Sequence, residues 1–132
     1  MKKIILLFIT FLCIQNSFSQ ISIPENDIQK RTYNNEEVQV KAEFPNGERK
    51  FNEFVLENFK NKFHKDFPNA VLVGFIVDID GSVNDIEIIS GASNATAKKI
   101  KKIIKTSPKW LPGEHEGYRV KTKVITTLKL HL

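Results

Sequence analysis

The chain has 132 residues, with 20 Lys and Arg against 15 Asp and Glu, a formal charge of +5, and one cysteine. This length fits one domain of common size. Cys13 lies near the N-terminus, so disulfides and thiol catalysis are excluded for the remainder of the chain, and the mild positive charge argues against nucleic acid as a partner.

Met1 to Ser19 has the layout of a secretory signal peptide. Lys2 and Lys3 form a positive n-region, Ile4 to Ile14 an apolar h-region, and Ser17-Phe18-Ser19 a small-x-small cleavage site before Gln20. The apolar run falls short of the roughly 20 residues that cross a bilayer. Leu12 stands where a lipoprotein signal needs a small residue before its cysteine, which argues against lipidation. The expected organisation is a signal peptide over 1–19, a flexible arm over 20–35 and one domain over 36–132.

Gln20 to Asn35 is polar, contains Pro24 and ends on Asn34-Asn35 without an apolar period, hence the arm. Glu36 to Phe44 alternates Val38, Val40, Ala42 and Phe44 against polar residues and predicts a half-buried strand. From Gly47 to Phe63 the period changes. Phe51, Phe54, Val55, Phe59 and Phe63 recur at three- and four-residue spacing, the stripe of a helix packed on a sheet, with Asn46 as its expected N-cap.

Ala70 to Ser90 is the centre of the pattern. Val71, Val73, Phe75, Val77 and Ile79 share one parity, and Ile86 and Ile88 alternate with Asp85 and Glu87. Asp80-Gly81 between them suits a two-residue type I′ hairpin turn. A second helix is expected from a Ser93 or Asn94 cap to about Thr106. Ala97, Ile100, Ile103 and Ile104 would face in, and Lys98, Lys99, Lys101, Lys102 and Lys105 out. Ser107 to Gly113 is an irregular connector holding the only tryptophan, and Glu114 to Gly117 a polar loop. Tyr118 to Leu132 alternates cleanly, with Val120, Thr122, Val124, Thr126, Leu128, Leu130 and Leu132 on one side, and predicts a long final strand. The expected fold is α+β: an antiparallel sheet of three to four strands with two helices packed on one face.

Catalytic patterns are sparse. His64, His115 and His131 lack metal-ligand spacing, no serine sits in a nucleophile elbow, and no glycine-rich loop cradles phosphate. Asp78, Asp80 and Gly81 resemble the start of a calcium loop, but the closing Glu is missing, so turn chemistry explains them. The expectation is a non-enzyme without metal, cofactor or small-molecule substrate. A lysine-bearing last strand at a sheet edge could accept a partner strand, or its lysines could simply guard the edge. The face carrying Lys98, Lys101, Lys102 and Lys105 is a second candidate, for anionic cell-wall or lipid groups.

Val73-Gly74-Phe75-Ile76-Val77-Asp78, Asp80-Gly81-Ser82-Val83 and Ile86-Glu87-Ile88-Ile89 together resemble the core hairpin of the TonB C-terminal domain family. Pro108 to Gly113, Gly117-Tyr118-Arg119-Val120 and the closing strand resemble that family's tail, and Glu43 to Gly47 its lead-in. The resemblance covers about Val38 to Leu132. It implies a periplasmic domain that binds outer-membrane transporters, whose TonB box adds as a strand beside the last strand. That maps the partner site to Val120, Lys121, Thr122, Lys123, Val124, Ile125, Thr126 and Thr127, with the same edge open to a second copy. Full-length transducers have an uncleaved N-terminal anchor and a long proline-rich spacer. Residues 1–35 read as neither, so binding without energy transduction is expected. Retention of residues 1–19 would instead make a minimal membrane-anchored transducer for nutrient transport.

Overall fold

The computed structural model of the chain describes residues 25–63 and 67–129. The expected signal peptide, the start of the arm, His64 and Leu130 to Leu132 lie outside these residues. The elements in order are α1 (Glu25–Lys30), β1 (Thr32–Asn34), α2 (Glu48–Phe63), β2 (Ala70–Val77), β3 (Val83–Ser90), α3 (Asn94–Lys105), β4 (Gly113–His115) and β5 (Tyr118–Lys129). The class is α+β, but among the described residues there are three helices rather than two, and the sheet is mixed rather than antiparallel, with five strands rather than three to four. Its order is β1-β5-β2-β3, with β4 paired to β5 off that path and β1 running parallel to β5.

The core follows the parities of the sequence. Val71, Val73, Phe75 and Val77 of β2, with Val124 and Leu128 of β5, meet Phe51, Val55 and Phe59 of α2 and Ile100, Ile103 and Ile104 of α3. Both long helices therefore cover one face of the sheet. Ser93 caps α3, accepting from the Thr96 N–H through its hydroxyl. At α2 the cap position belongs to Gly47, whose carbonyl accepts from Lys50 and Phe51. Asn46 sits one residue earlier at φ +67, in the turn that sets up the helix rather than at its cap.

Three segments differ from expectation. Residues 25–34 of the arm form α1 and β1. Ile28 is buried with Val38 and Val120 in a small second cluster against which Tyr33 also packs, so two side chains anchor a segment too polar to show a period. Residues 36–44 form no continuous strand. Val40 pairs only with Glu114 and Glu43 only with Leu111 as isolated bridges, because their partner is the short β4 and the connector before it. Glu114 and His115, expected in a loop, lie in β4. A type I′ turn does occur, but at Glu116-Gly117, where both φ angles are positive (50° and 82°) between the paired His115 and Tyr118.

The central hairpin turns differently too. Asp78 N–H donates to the Ser82 carbonyl and Gly81 N–H to the Asp78 carbonyl, so the loop is the three residues Ile79-Asp80-Gly81 with Gly81 at φ +83. Asp80 keeps a negative φ and accepts from the Ser82 N–H and hydroxyl and from Lys109 Nζ. The Ser82 hydroxyl first, then its N–H and Lys109, push the Asp80 carboxyl down to about 2. The unfolded value is about 3.9. The folded pKa lies below the unfolded one, so this contribution is present above about pH 4 and is lost as pH falls towards 2. Asp80→Asn is expected to flatten the acid limb of stability in that window, by a small amount because the group is exposed to solvent. Urea midpoints at a series of acid pH values check this; an unchanged slope would mean that Asp80 takes no part in it.

The connector docks on this loop. Trp110 N–H donates to the Gly81 carbonyl, and a Cβ on Gly81 would come within 2.2 Å of the Trp110 carbonyl oxygen. The indole then fills the core beside Phe44, Phe51 and Phe75, with ring centroids 5.0–5.5 Å away. The connector is irregular, yet its Trp110 is only 6% exposed.

Candidate functional site

The resemblance directs attention to β5, and the structure divides its expected partner residues in two. Val120, Thr122 and Val124 are buried side chains of the inner face, while Lys121, Lys123, Ile125 and Thr127 point the other way and Thr126 is half-buried. Along one edge, β5 is paired with β2 from Thr122 to Lys129. That edge continues into β4, where the backbone of Val120 pairs with Gly113; along the other edge, Lys121 to Lys123 are already paired with β1. The first half of the expected docking strand is thus filled by the chain itself. Residues 32–34, expected within a flexible arm, supply the strand that fills it.

Beyond Lys123 the edge is different. Asn35 N–H donates to the Lys123 carbonyl at 3.0 Å, which puts the Lys123 main-chain groups on the side away from β2. At the far end the Asn52 side chain holds both main-chain groups of Lys129, donating to its carbonyl at 2.6 Å and accepting from its N–H at 2.7 Å. Main-chain groups along a strand alternate between its two edges. Ile125 and Thr127 share the parity of Lys123 and Lys129, so their N–H and C=O groups also point away from β2. Among the described residues these groups have no hydrogen-bond partner. Among the described residues, two residues of strand edge, four polar groups, stand open between an asparagine at each end.

This edge borders a cleft of about 390 Å³. Phe44, Phe51, Trp110 and Val124 line it, together with Glu43, Glu48, Ile125 and Thr126. The Ile125 side chain reaches the opposite face, near Gly74, which leaves its backbone on the cleft side. Glu48, in the first turn of α2, accepts from the Thr126 hydroxyl. Glu43 is held in place by paired main-chain bonds to Leu111. None of Asn35, Asn52, Glu43 and Glu48 was legible as a site residue. Each is a polar residue on the flank of an apolar pattern, and only the packing of α2 and of residues 35–44 against β5 gives them a common neighbour.

The second candidate surface keeps its expected exposure. Lys98, Lys101, Lys102 and Lys105 are exposed on α3, and Lys101, Lys102 and Lys105 flank a shallow depression against Val83 to Ile86 of β3. Lys99 departs from the outward set, its Nζ lying 4.9 Å from the centre of the Phe63 ring. His115 packs against Tyr33, ring centroids 4.8 Å apart. Among the described residues, no three His, Cys, Asp or Glu side chains gather as a metal site. Among those residues, too, no helix is long and apolar enough to cross a membrane.

Comparison with protein-family models, curated proteins and solved structures found no match to this chain. The resemblance to the TonB C-terminal domain family therefore rests on the motifs in the chain itself.

Proposed function

We propose that this protein is a non-catalytic binding module that takes up an extended segment of a partner protein as an added strand on β5. The observation that carries this reading is the unfilled edge at Ile125 and Thr127, bounded by Asn35 and Asn52. Free strand edges are a hazard that folded proteins usually cover or guard. Here the edge is closed at both ends and left open for two residues above a cleft, the arrangement that strand addition uses. Main-chain pairing provides affinity with little demand on partner sequence, and the cleft provides selection. With the secretory N-terminus and the TonB-like motifs, the expected partners are the periplasmic N-terminal segments of outer-membrane transporters. The lysine face of α3 remains available for other contacts with the envelope.

The test is amide-resolved. Synthetic peptides copying such transporter segments are titrated into isotope-labelled protein, and hydrogen exchange is followed by NMR. Before addition, the Ile125 and Thr127 amides should exchange fast and those of Val124 and Thr126, which face β2, slowly. A bound peptide should protect Ile125 and Thr127 selectively. Saturable binding that leaves these two amides fast-exchanging would rule out strand addition at this edge.

A further inference from the structure

The chemistry of the cleft says what kind of segment this edge receives, an inference that rests on the strand-addition reading above. We infer that the incoming strand carries a lysine or arginine, placed opposite Thr126 with its side chain turned into the cleft. The chain as a whole is basic, yet the walls here carry three carboxylates, Glu36, Glu43 and Glu48, against one cation, Lys41. Lys41 is engaged with Glu36 in an ion pair. Glu43 and Glu48 have no ion-pair partner among the described residues. Glu48 is also tied to the Thr126 hydroxyl, which fixes a carboxylate beside the middle of the open edge.

The apolar lining does not compete for this role. Phe44, Phe51 and Val124 are 6%, 1% and 6% exposed, so their faces are already covered by one another and by Trp110. A purely apolar partner side chain would find little bare surface and would take solvent from two exposed carboxylates without replacing it, an unfavourable exchange. A lysine or arginine satisfies both parts, laying its methylene stem along the aromatic rim and its charge between Glu43 and Glu48. A second copy of the chain fits less well. Two β5 edges paired antiparallel about Thr126 would set Thr126 against itself, and such a two-fold contact brings each Glu48 towards its like-charged equivalent.

The probe is a library of acetylated, amidated heptapeptides randomised at the three central positions. It is selected against the intact protein, against a Glu43→Gln/Glu48→Gln variant, and against Thr127→Pro, which removes one edge donor. Lysine and arginine should be enriched at one central position on the native protein and not on the double variant. A selected lysine peptide should bind roughly tenfold tighter than its norleucine counterpart. That ratio should narrow at about 1 M salt, where the Debye length is about 3 Å. Selected peptides that need Thr127 but show no preference for a cation would overturn this inference and leave strand addition standing. No selectable peptide, or peptides indifferent to Thr127→Pro, would overturn both. A dimer in sedimentation that Thr127→Pro dissociates would overturn this inference by naming a second copy as the occupant.

Discussion

Phe51→Ala is expected to lower the free energy of unfolding by about 3–5 kcal/mol, the usual range for truncating a buried phenylalanine. Phe51 is 1% exposed and is the ring around which the core is assembled, with ring centroids 5.5 Å from Phe44, 5.6 Å from Phe75 and 5.0 Å from Trp110. Its removal deletes apolar burial and three aromatic contacts together, and the rings around it come from a loop, a strand and the connector. A helix side chain that ties three other segments leaves a site that collapses poorly. Domains of this size are stable by about 5–15 kcal/mol in total, so the variant should be near its unfolding threshold. Urea denaturation followed by far-ultraviolet circular dichroism measures this. Leu111→Ala is the control: Leu111 is 59% exposed, and its change should stay within about 0.5 kcal/mol. Equal losses at the two positions would contradict the packing described here.

The second large effect separates neighbouring residues of β5. Thr126→Pro should destabilise the fold by at least about 1–3 kcal/mol, because it removes a main-chain donor facing β2 and strands the acceptor it served. Thr126 is paired with Val73 in the centre of the β2–β5 ladder, and the substitution also deletes its hydroxyl bond to Glu48. Thr127→Pro, one residue on, removes only a donor at the open edge and should leave the urea midpoint much closer to the native value. Its cost should appear instead in peptide binding, by roughly tenfold for one lost main-chain bond. Denaturation and fluorescence polarisation on the same two variants read both quantities. If Thr127→Pro unfolds the domain while Thr126→Pro is tolerated, the edge assignment is inverted and the docking site fails with it.

Much of the frame was readable from the chain. The phenylalanine stripe of α2, the isoleucines of α3 and the alternating parities of β2 and β5 each describe one face of one element. The structure buries Phe51, Val55 and Phe59, Ile100, Ile103 and Ile104, and Val120, Thr122, Val124 and Leu128 accordingly. The less legible parts lack a repeating pattern. Residues 25–34 carry only Ile28 and Tyr33 as anchors, β4 is three residues long, and Trp110 sits between two prolines in a segment without a period. Asp-Gly suits several turns, so the dipeptide alone does not fix the length of the hairpin loop. The choice of a three-residue loop goes with the hydrogen bonds of Asp80 to Ser82 and Lys109 and with the docking of Trp110 on Gly81.

The sequence by itself therefore determined the α+β class, the two long helices, the long strands and the face that each buries. Periodicity encodes burial, and burial of apolar side chains is the main force that places these elements. Only the tertiary structure decided which edge of β5 remains open and for how many residues. Hydrogen-bond vacancies on a backbone are independent of side-chain type. Among the described residues they exist because β1, paired parallel to Lys121 to Lys123, stops at Asn34 while the Asn52 amide reaches only Lys129. The charge of the cleft has the same origin. Glu43 and Glu48 are ordinary surface carboxylates along the chain, and they become walls of one cleft only because the first turn of α2 and the segment before it pack beside Thr126.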